Sequence, residues 1–174
     1  MTCFSADEKA VVQRSFLDAE GFARHFFRLS ANEWKAHRYE VKTLAHLESH
    51  ERSDQAFAQL CKYVCRKKDE GGRPADFHFF RVCLQDSRIL DAVTRGGGFI
   101  RFPALMLYIA AHELVHIIRF NRGESKFDLE PADREREEEQ VHTLTRRMLS
   151  PRADSHLNLV LDCFGNDYRI GDLT

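Results

Sequence analysis

Apolar residues run almost without interruption from Phe102 to Phe120, and this pattern predicts one buried helix. Pro103 suits the first turn of a helix, and Asn121 and Gly123 favour its end just beyond the stretch. Apart from Tyr108, the ionisable side chains between Pro103 and Ile118 are His112, Glu113 and His116. Burying two imidazoles and a carboxylate without partners is unfavourable, so these three groups need something that satisfies them.

Residues 1–70 show a loosely helical spacing of apolar side chains, which predicts three helices. Capping boxes at Ser5–Glu8 and Ser30–Glu33 open the first two helices, and the second is predicted to continue through Val41 and Leu44 to Leu47. The third helix is predicted to begin at Ser53–Asp54, and its inward positions are Phe57, Leu60, Cys61, Val64 and Cys65.

Glycine and proline at Gly71–Pro74 interrupt the helical pattern. The aromatic and β-branched residues from Phe77 to Gln85 then predict a strand. A short helix is expected to begin at Asp86–Ser87, and the helix from Pro131 to Leu149 follows the central one. Two further strands are predicted close to the end of the sequence, at Leu157–Leu161 and Tyr168–Ile170.

These elements predict an α+β fold, which is a mostly helical single domain with a small sheet beside the buried helix. The domain is expected to span residues 1–174. It would consist of a helical section over residues 1–70 and a section over residues 75–174 that carries the candidate site.

Composition narrows the expected partners. A net charge of −1 gives no electrostatic reason to expect nucleic acid or an anionic membrane as a partner. The longest strictly apolar run, Ala104–Ala111, is too short to span a bilayer, and the first residues do not resemble a secretory signal. We therefore expect a cytoplasmic protein, and the sequence does not indicate its oligomeric state.

The five cysteines are an odd, scattered set, which predicts free thiols rather than a disulfide framework. Cys61 and Cys65 would share one face of the third predicted helix, so a second metal site there is conceivable. Small buried apolar side chains are the better interpretation of this pair.

His112 and His116 stand four residues apart, so their rings project from one helix face and two imidazole nitrogens can reach a single metal ion. Glu113 is placed to reach a water molecule on that ion. The string HELVH thus has the HExxH pattern of zinc hydrolases, which provides two ligands and a general base. Because an apolar helix surrounds the motif, a metal site is favoured over two core histidines bonded to the backbone.

HELVH followed by a helix carrying Glu resembles the zincin metallopeptidases of the gluzincin type. The stretch EREEEQVHTLTRRMLSP also resembles the third-ligand helix of small bacterial ImmA/IrrE-type zinc proteins. FRVCLQD, YIAAHELVHIIRF and EEEQVH together are similar to small bacterial HExxH proteins. The resemblance covers about Phe77 to Leu149, and it implies a zincin-like fold and hydrolysis of peptide bonds with Zn²⁺ as the cofactor.

In the gluzincin arrangement, the third zinc ligand is a Glu on the helix that follows the motif. Glu137, Glu138 and Glu139 lie 21 to 23 residues after His116. The apolar stripe of this helix places the first two inward and Glu139 away. Glu138 is preferred because it lies one turn before His142, which could orient a ligand or bound water. Glu137 and His142 are the alternative third ligands.

By the same resemblance, His112, His116 and Glu138 would hold zinc, and Glu113 would move a proton from water to the leaving amine. The strand Phe77–Gln85 would lie beside the site and could hold an extended peptide by β-addition. The residue that stabilises the oxyanion is left open among Arg119, Tyr168 and His156.

Two other functions compete with hydrolysis. The chain could be a non-catalytic sensor or adaptor, with His142 closing a structural zinc site as a fourth ligand. It could also be a di-iron or di-manganese bundle, because Glu113–His116 and Glu139–His142 both read ExxH and Glu20 and Glu40 could complete the set. The short link between the two ExxH helices and the lack of a role for His112 count against the bundle.

Overall fold

The computed structural model describes residues 2–165, which form an α+β domain. Its helices and strands follow in the order α1 (Ala6–Phe26), α2 (Ala31–Lys35), β1 (Tyr39–Lys42), β2 (Ala58–Lys68), β3 (Pro74–Leu84), α3 (Asp86–Arg95), α4 (Phe102–Asn121), α5 (Pro131–Leu149) and α6 (Ser155–Gly165). Short 3₁₀ turns lie at Leu44–His46, Ser49–Glu51 and Ser150–Arg152. The predicted α+β class is confirmed, whereas zincin-like architecture stays a prediction.

α4 is the centre of the core, as the apolar stretch predicts. Fourteen of its residues are buried, and its largest set of neighbours comes from α1 on one side, with α5, α6 and α3 packing around it. By length and composition the helix could cross a membrane, but 72% of its most apolar window is buried inside the fold. This burial is consistent with the core helix of a soluble protein.

The sheet has the strand order β1-β3-β2 within the described residues. β2 and β3 form an antiparallel hairpin along their whole length, from Ala58↔Leu84 to Lys68↔Pro74. β1 pairs in parallel with the second half of β3 only, from Tyr39↔Phe80 to Lys42↔Cys83. Phe80, Val82 and Leu84 are buried, so β3 packs one face on the core beside α4.

The predicted third helix is wrong, since residues 58–68 form β2. The apolar positions fit a helical face, but in the structure the segment pairs with β3, with Leu60 opposite Val82 and Lys62 opposite Phe80. Gly71–Gly72, interpreted as the end of a helical section, is the hairpin turn, and Gly72 has a φ of +77° that glycine adopts without strain. Pairing with β3 therefore overrides the local helical pattern.

The second predicted helix is also much shorter than expected. Its capping box is present, with Ser30 accepting from the backbone of Glu33, but α2 ends at Lys35 and the chain continues as β1. Tyr39 and Val41 then pack against the core from the sheet. Residues 1–70 are consequently not the purely helical section that the sequence predicts.

At the other end, the predicted strand Leu157–Leu161 is wrong because it lies in α6. Leu157, Val160, Leu161 and Phe164 are all buried, and their spacing is that of one helical face. The predicted strand Tyr168–Ile170 lies outside the described residues. Five predicted elements are confirmed: the strand Phe77–Gln85 corresponds to β3, and four helices correspond to α1, α3, α4 and α5.

A buried ion-pair cluster holds the outer face of the sheet. Arg81 on β3 pairs with Glu40 and Glu51, and the Glu51 side chain is fully buried. Burial alone would raise the pKa of Glu51, but hydrogen bonds from Tyr63 and Arg81 among others lower it to about 2. Glu51 therefore depends on its partners to remain a buried anion.

Replacing Arg81 with Met is expected to lower the free energy of unfolding by about 3 kcal/mol, because Glu51 then keeps a buried charge without its cation. Urea denaturation measures this change. The matched control is Arg66→Met on the same hairpin, since Arg66 and Asp76 form an exposed pair and its loss should cost less than about 1 kcal/mol. Equal effects of the two substitutions would contradict this account of the cluster.

Candidate metal centre

One face of α4 carries the candidate site. Tyr108, His112, His116 and Phe120 follow one another at intervals of four residues, so they form a line along the helix. His112 is 3% and His116 6% exposed. The same face looks toward α5, which returns beside α4 after the link over residues 122–130.

The structure brings His112, His116 and Glu138 together, with one possible ligand atom from each lying within 4.8 Å of the others. The two Nε2 atoms are 3.2 Å apart. Glu138 Oε2 lies 3.2 Å from His112 Nε2, and Glu138 Oε1 lies 3.2 Å from His116 Nε2. These are the three residues that the sequence proposes as ligands.

The spacing of these atoms fits a small metal ion. Tetrahedral ligands at about 2.0–2.1 Å from Zn²⁺ stand about 3.3 Å from one another, close to the distances seen here. Both imidazoles direct Nε2 into the cluster, and their Nδ1 atoms are buried without a hydrogen-bond partner among the described residues. The donor set of two imidazoles and a carboxylate also suits zinc chemically.

Electrostatics at the cluster favour a positive charge. Burial raises the pKa of Glu138, but hydrogen bonds from His112 and His116 outweigh it and hold the pKa well below its usual range. Burial lowers the pKa of His116, yet the hydrogen bond and charge of Glu138 raise it overall. The carboxylate therefore stays ionised, and its negative charge beside the two imidazoles favours a proton or a metal cation there.

Glu113 is buried beside the cluster without a protein partner. Its side chain makes no hydrogen bond or ion pair within residues 2–165, although the residue is only 8% exposed. Burial raises its pKa, and the nearby His112 and His116 oppose that effect. A buried carboxylate with free lone pairs and a raised pKa suits a group that accepts a proton from water.

Glu137 takes a different role from Glu138. It is buried as predicted, but Arg119 binds it with two hydrogen bonds of 2.8 and 2.9 Å. Arg119 also binds Glu124 at 3.0 Å, so this candidate for the oxyanion partner is already engaged. Glu139 is exposed, as the face of the helix predicts. Glu138 is therefore the acid of this run that meets both histidines.

His142 lies one turn after Glu138 and next to His112, with ring centroids 4.6 Å apart. Tyr108 and His142 Nδ1 are joined by a hydrogen bond. Burial, followed by repulsion from His112, lowers the pKa of His142 to about 4. Sequence reasoning missed the role of Tyr108, although its position four residues before His112 was a usable signal.

The other predicted candidates that the structure describes lie away from the cluster. Tyr168 is outside the described residues, and His156 is exposed on α6. Glu20 accepts a hydrogen bond from Tyr39, and Glu40 pairs with Arg81. With Glu139 exposed as well, the described residues do not assemble the ligands of a di-iron bundle.

Cys61 and Cys65 lie on β2 rather than on a helix, and all five cysteines are free thiols. Cys61 Sγ is 3.9 Å from Cys83 Sγ. Burial raises the pKa of the Cys61 and Cys83 thiols, so neither ionises readily to a thiolate that could bind a metal ion. A second metal site at Cys61 and Cys65 has no support in the described residues.

Searches of protein-family models, curated proteins and solved structures find nothing that matches this chain. The function must therefore be inferred from the site itself.

Proposed function

We propose that the protein is a cytoplasmic zinc-dependent peptide hydrolase. The observation that carries this proposal is the convergence of His112, His116 and Glu138 beside Glu113, a buried carboxylate that no protein group occupies. In a purely structural cluster, a buried carboxylate such as Glu113 without a hydrogen-bond partner would only lower stability. The inferred ligands are the two histidines and Glu138.

A zinc ion bound there would supply Lewis-acid chemistry, polarising a carbonyl group and making water more acidic. The chain supplies the proton transfers. Glu113 accepts a proton from the attacking water, helped by the burial that raises its pKa, and donates it to the amine that leaves. His112, His116 and Glu138 would hold the zinc ion beside Glu113.

Solvent access to the site favours a catalytic zinc ion over a purely structural one. A structural zinc site is closed by four protein ligands, whereas a catalytic one keeps a position for water. Among residues 2–165 the cluster contains three candidate ligands, and the Glu138 side chain is 45% exposed. Solvent and substrate can therefore reach the cluster from the side of Glu138.

A peptide can be held beside the site, although less of β3 is free than the sequence suggests. Among the described residues, β2 covers one edge of β3 and β1 covers the other from Phe80 onward, so the edge that they leave unpaired is limited to residues 74–79. A cleft of about 400 Å³ lies next to this edge, with His78, Phe80, Phe120 and Phe127 among its walls. Phe120 stacks on His116, with ring centroids 5.6 Å apart, so one wall of the cleft is a residue that contacts the cluster.

The direct test of this function is hydrolysis of a mixed peptide library by the zinc-loaded protein. We expect cleavage that a strong chelator reduces to background and that one equivalent of Zn²⁺ restores, because the ion is needed for the reaction. Mass spectrometry of the products measures it. If the zinc-loaded protein cleaves nothing, or if chelation leaves cleavage unchanged, the proposal is wrong.

A further inference from the structure

His142 occupies a position from which it can either join the ligands or serve the substrate. It lies one turn after Glu138 on α5, and its ring is 4.6 Å from the His112 ring at a tilt of 45°. Its Nδ1 is bonded to the hydroxyl of Tyr108, which lies one turn before His112 on α4. The two ring nitrogens of His142 thus have different surroundings.

The surroundings of Tyr108 determine which ring nitrogen of His142 carries the proton. Tyr108 is 1% exposed, and within residues 2–165 its hydroxyl has no hydrogen-bond partner other than His142. A buried phenol must donate its proton to an acceptor, and Nδ1 of His142 is the available one. A neutral imidazole that accepts at Nδ1 carries its own proton on Nε2.

An Nε2 that carries a proton has no lone pair for a metal ion. Nε2 of His142 is then a hydrogen-bond donor at the ring nitrogen that does not face Tyr108. The His142 ring also packs against the His112 ring. The reverse tautomer would make Nε2 a possible fourth ligand, but it would leave the Tyr108 proton without an acceptor in an apolar setting.

We propose that Tyr108 holds His142 in the Nε2–H tautomer, which keeps His142 out of the ligand set and makes it the donor to the carbonyl oxygen of the substrate. The proposal rests on the proposed function for its second half. Tyr108 is a positioning residue, and His142 is the group that touches substrate. The pair would thereby perform the oxyanion role that the sequence left open among Arg119, Tyr168 and His156.

The first test is the tautomer itself, read from the ring ¹⁵N chemical shifts of His142 in the full-length protein labelled at histidine. We expect the Nε2–H tautomer in the wild type, and a mixture of tautomers in Tyr108→Phe, which keeps the ring and removes the hydroxyl. An Nδ1–H tautomer in the wild type, or an unchanged single tautomer in Tyr108→Phe, would overturn the proposal.

The second test separates a donor from a ligand. X-ray absorption of the zinc-loaded protein should count two imidazoles in the wild type and still two in His142→Ala, with one equivalent of zinc in both. A count of three that falls to two in His142→Ala would show that His142 is a ligand and would overturn the proposal.

The third test measures kcat and KM for variants of His142. In His142→Ala we expect kcat to fall about 100-fold while KM changes less than about threefold, and His142→Gln should recover part of the loss because it keeps an N–H donor. The matched control is His156→Ala on exposed α6, which should retain full activity. Unchanged kcat in His142→Ala overturns the donor role. Absence of any cleavage by the wild type, with the Nε2–H tautomer present, would refute the proposed hydrolase and with it the donor role.

Discussion

Replacing Glu113 with Gln is expected to lower kcat for peptide hydrolysis by about 1,000-fold, within the range that general acid–base catalysis contributes. Gln has nearly the same shape but cannot accept and return a proton. Because Glu113 is buried without a protein partner, removing its charge breaks no ion pair within the described residues. Steady-state kinetics of the zinc-loaded protein measure the change.

The control for this prediction is metal content. Glu113 is not among the three residues whose ligand atoms converge, so Glu113→Gln should retain one equivalent of zinc and the wild-type melting temperature to within a few degrees. A variant that keeps its metal and cleaves peptides as fast as the wild type would contradict the role given to Glu113. Loss of zinc from this variant would instead move Glu113 into the ligand set.

Replacing Glu138 with Ala is expected to weaken zinc binding by more than about 100-fold, which exceeds the usual effect of residues outside the ligand set. Glu138 contacts both histidines at 3.2 Å, and no other acid of the 137–139 run does so at that distance. Its loss removes the anion that makes the cluster favourable for a cation. Competition with a chromophoric chelator measures the zinc dissociation constant.

Glu139→Ala is the matched control for this prediction, since Glu139 follows Glu138 on the same helix and is exposed. It should leave zinc affinity unchanged to within about twofold. Glu137→Ala is the informative third variant, because Arg119 binds Glu137 at 2.8 Å while His116 Nδ1 lies 4.0 Å from it. If Glu137→Ala loses zinc and Glu138→Ala does not, the choice of third ligand is wrong.

The longest helices of the fold could be predicted from the sequence because each carries several consistent signals. α4 combines an apolar run with Pro103 at its start, and α1 opens on a capping box that the structure contains. The strand β3 was recognisable from aromatic and β-branched residues that no helix would group in this way. Agreement among local signals is what made these elements predictable.

The elements that the sequence does not predict depend on a partner strand or on residues outside the stretch that carries their apolar pattern. β2 became a strand because β3 follows it in a hairpin, and apolar spacing alone did not distinguish the two states. β1 needs β3, which lies about forty residues later in the chain, as its parallel neighbour. The sequence predicts a strand at Leu157–Leu161 because five apolar and polar positions fit either state, whereas Phe164 extends the helical face of α6.

The candidate site likewise has features that the sequence predicts and features that it does not. The spacing of His112 and His116 places both on one helix face, and the resemblance to gluzincins adds Glu138 on the inward face of α5. The structure brings these three residues together. The bond between Arg119 and Glu137 and the bond between Tyr108 and His142 join different helices. Periodicity places residues on a face, but it cannot pair two faces across a helix interface.

Metal content of the purified full-length protein tests the central claim most directly. Elemental analysis by mass spectrometry should find about one zinc per chain in the wild type and almost none in His112→Ala, with exposed His25→Ala as the control that keeps its zinc. We expect this pattern because the cluster lies around His112 Nε2. A wild type that binds no metal ion even when zinc is supplied, with His112 and His116 bonded only to each other and to Glu138, would contradict the account.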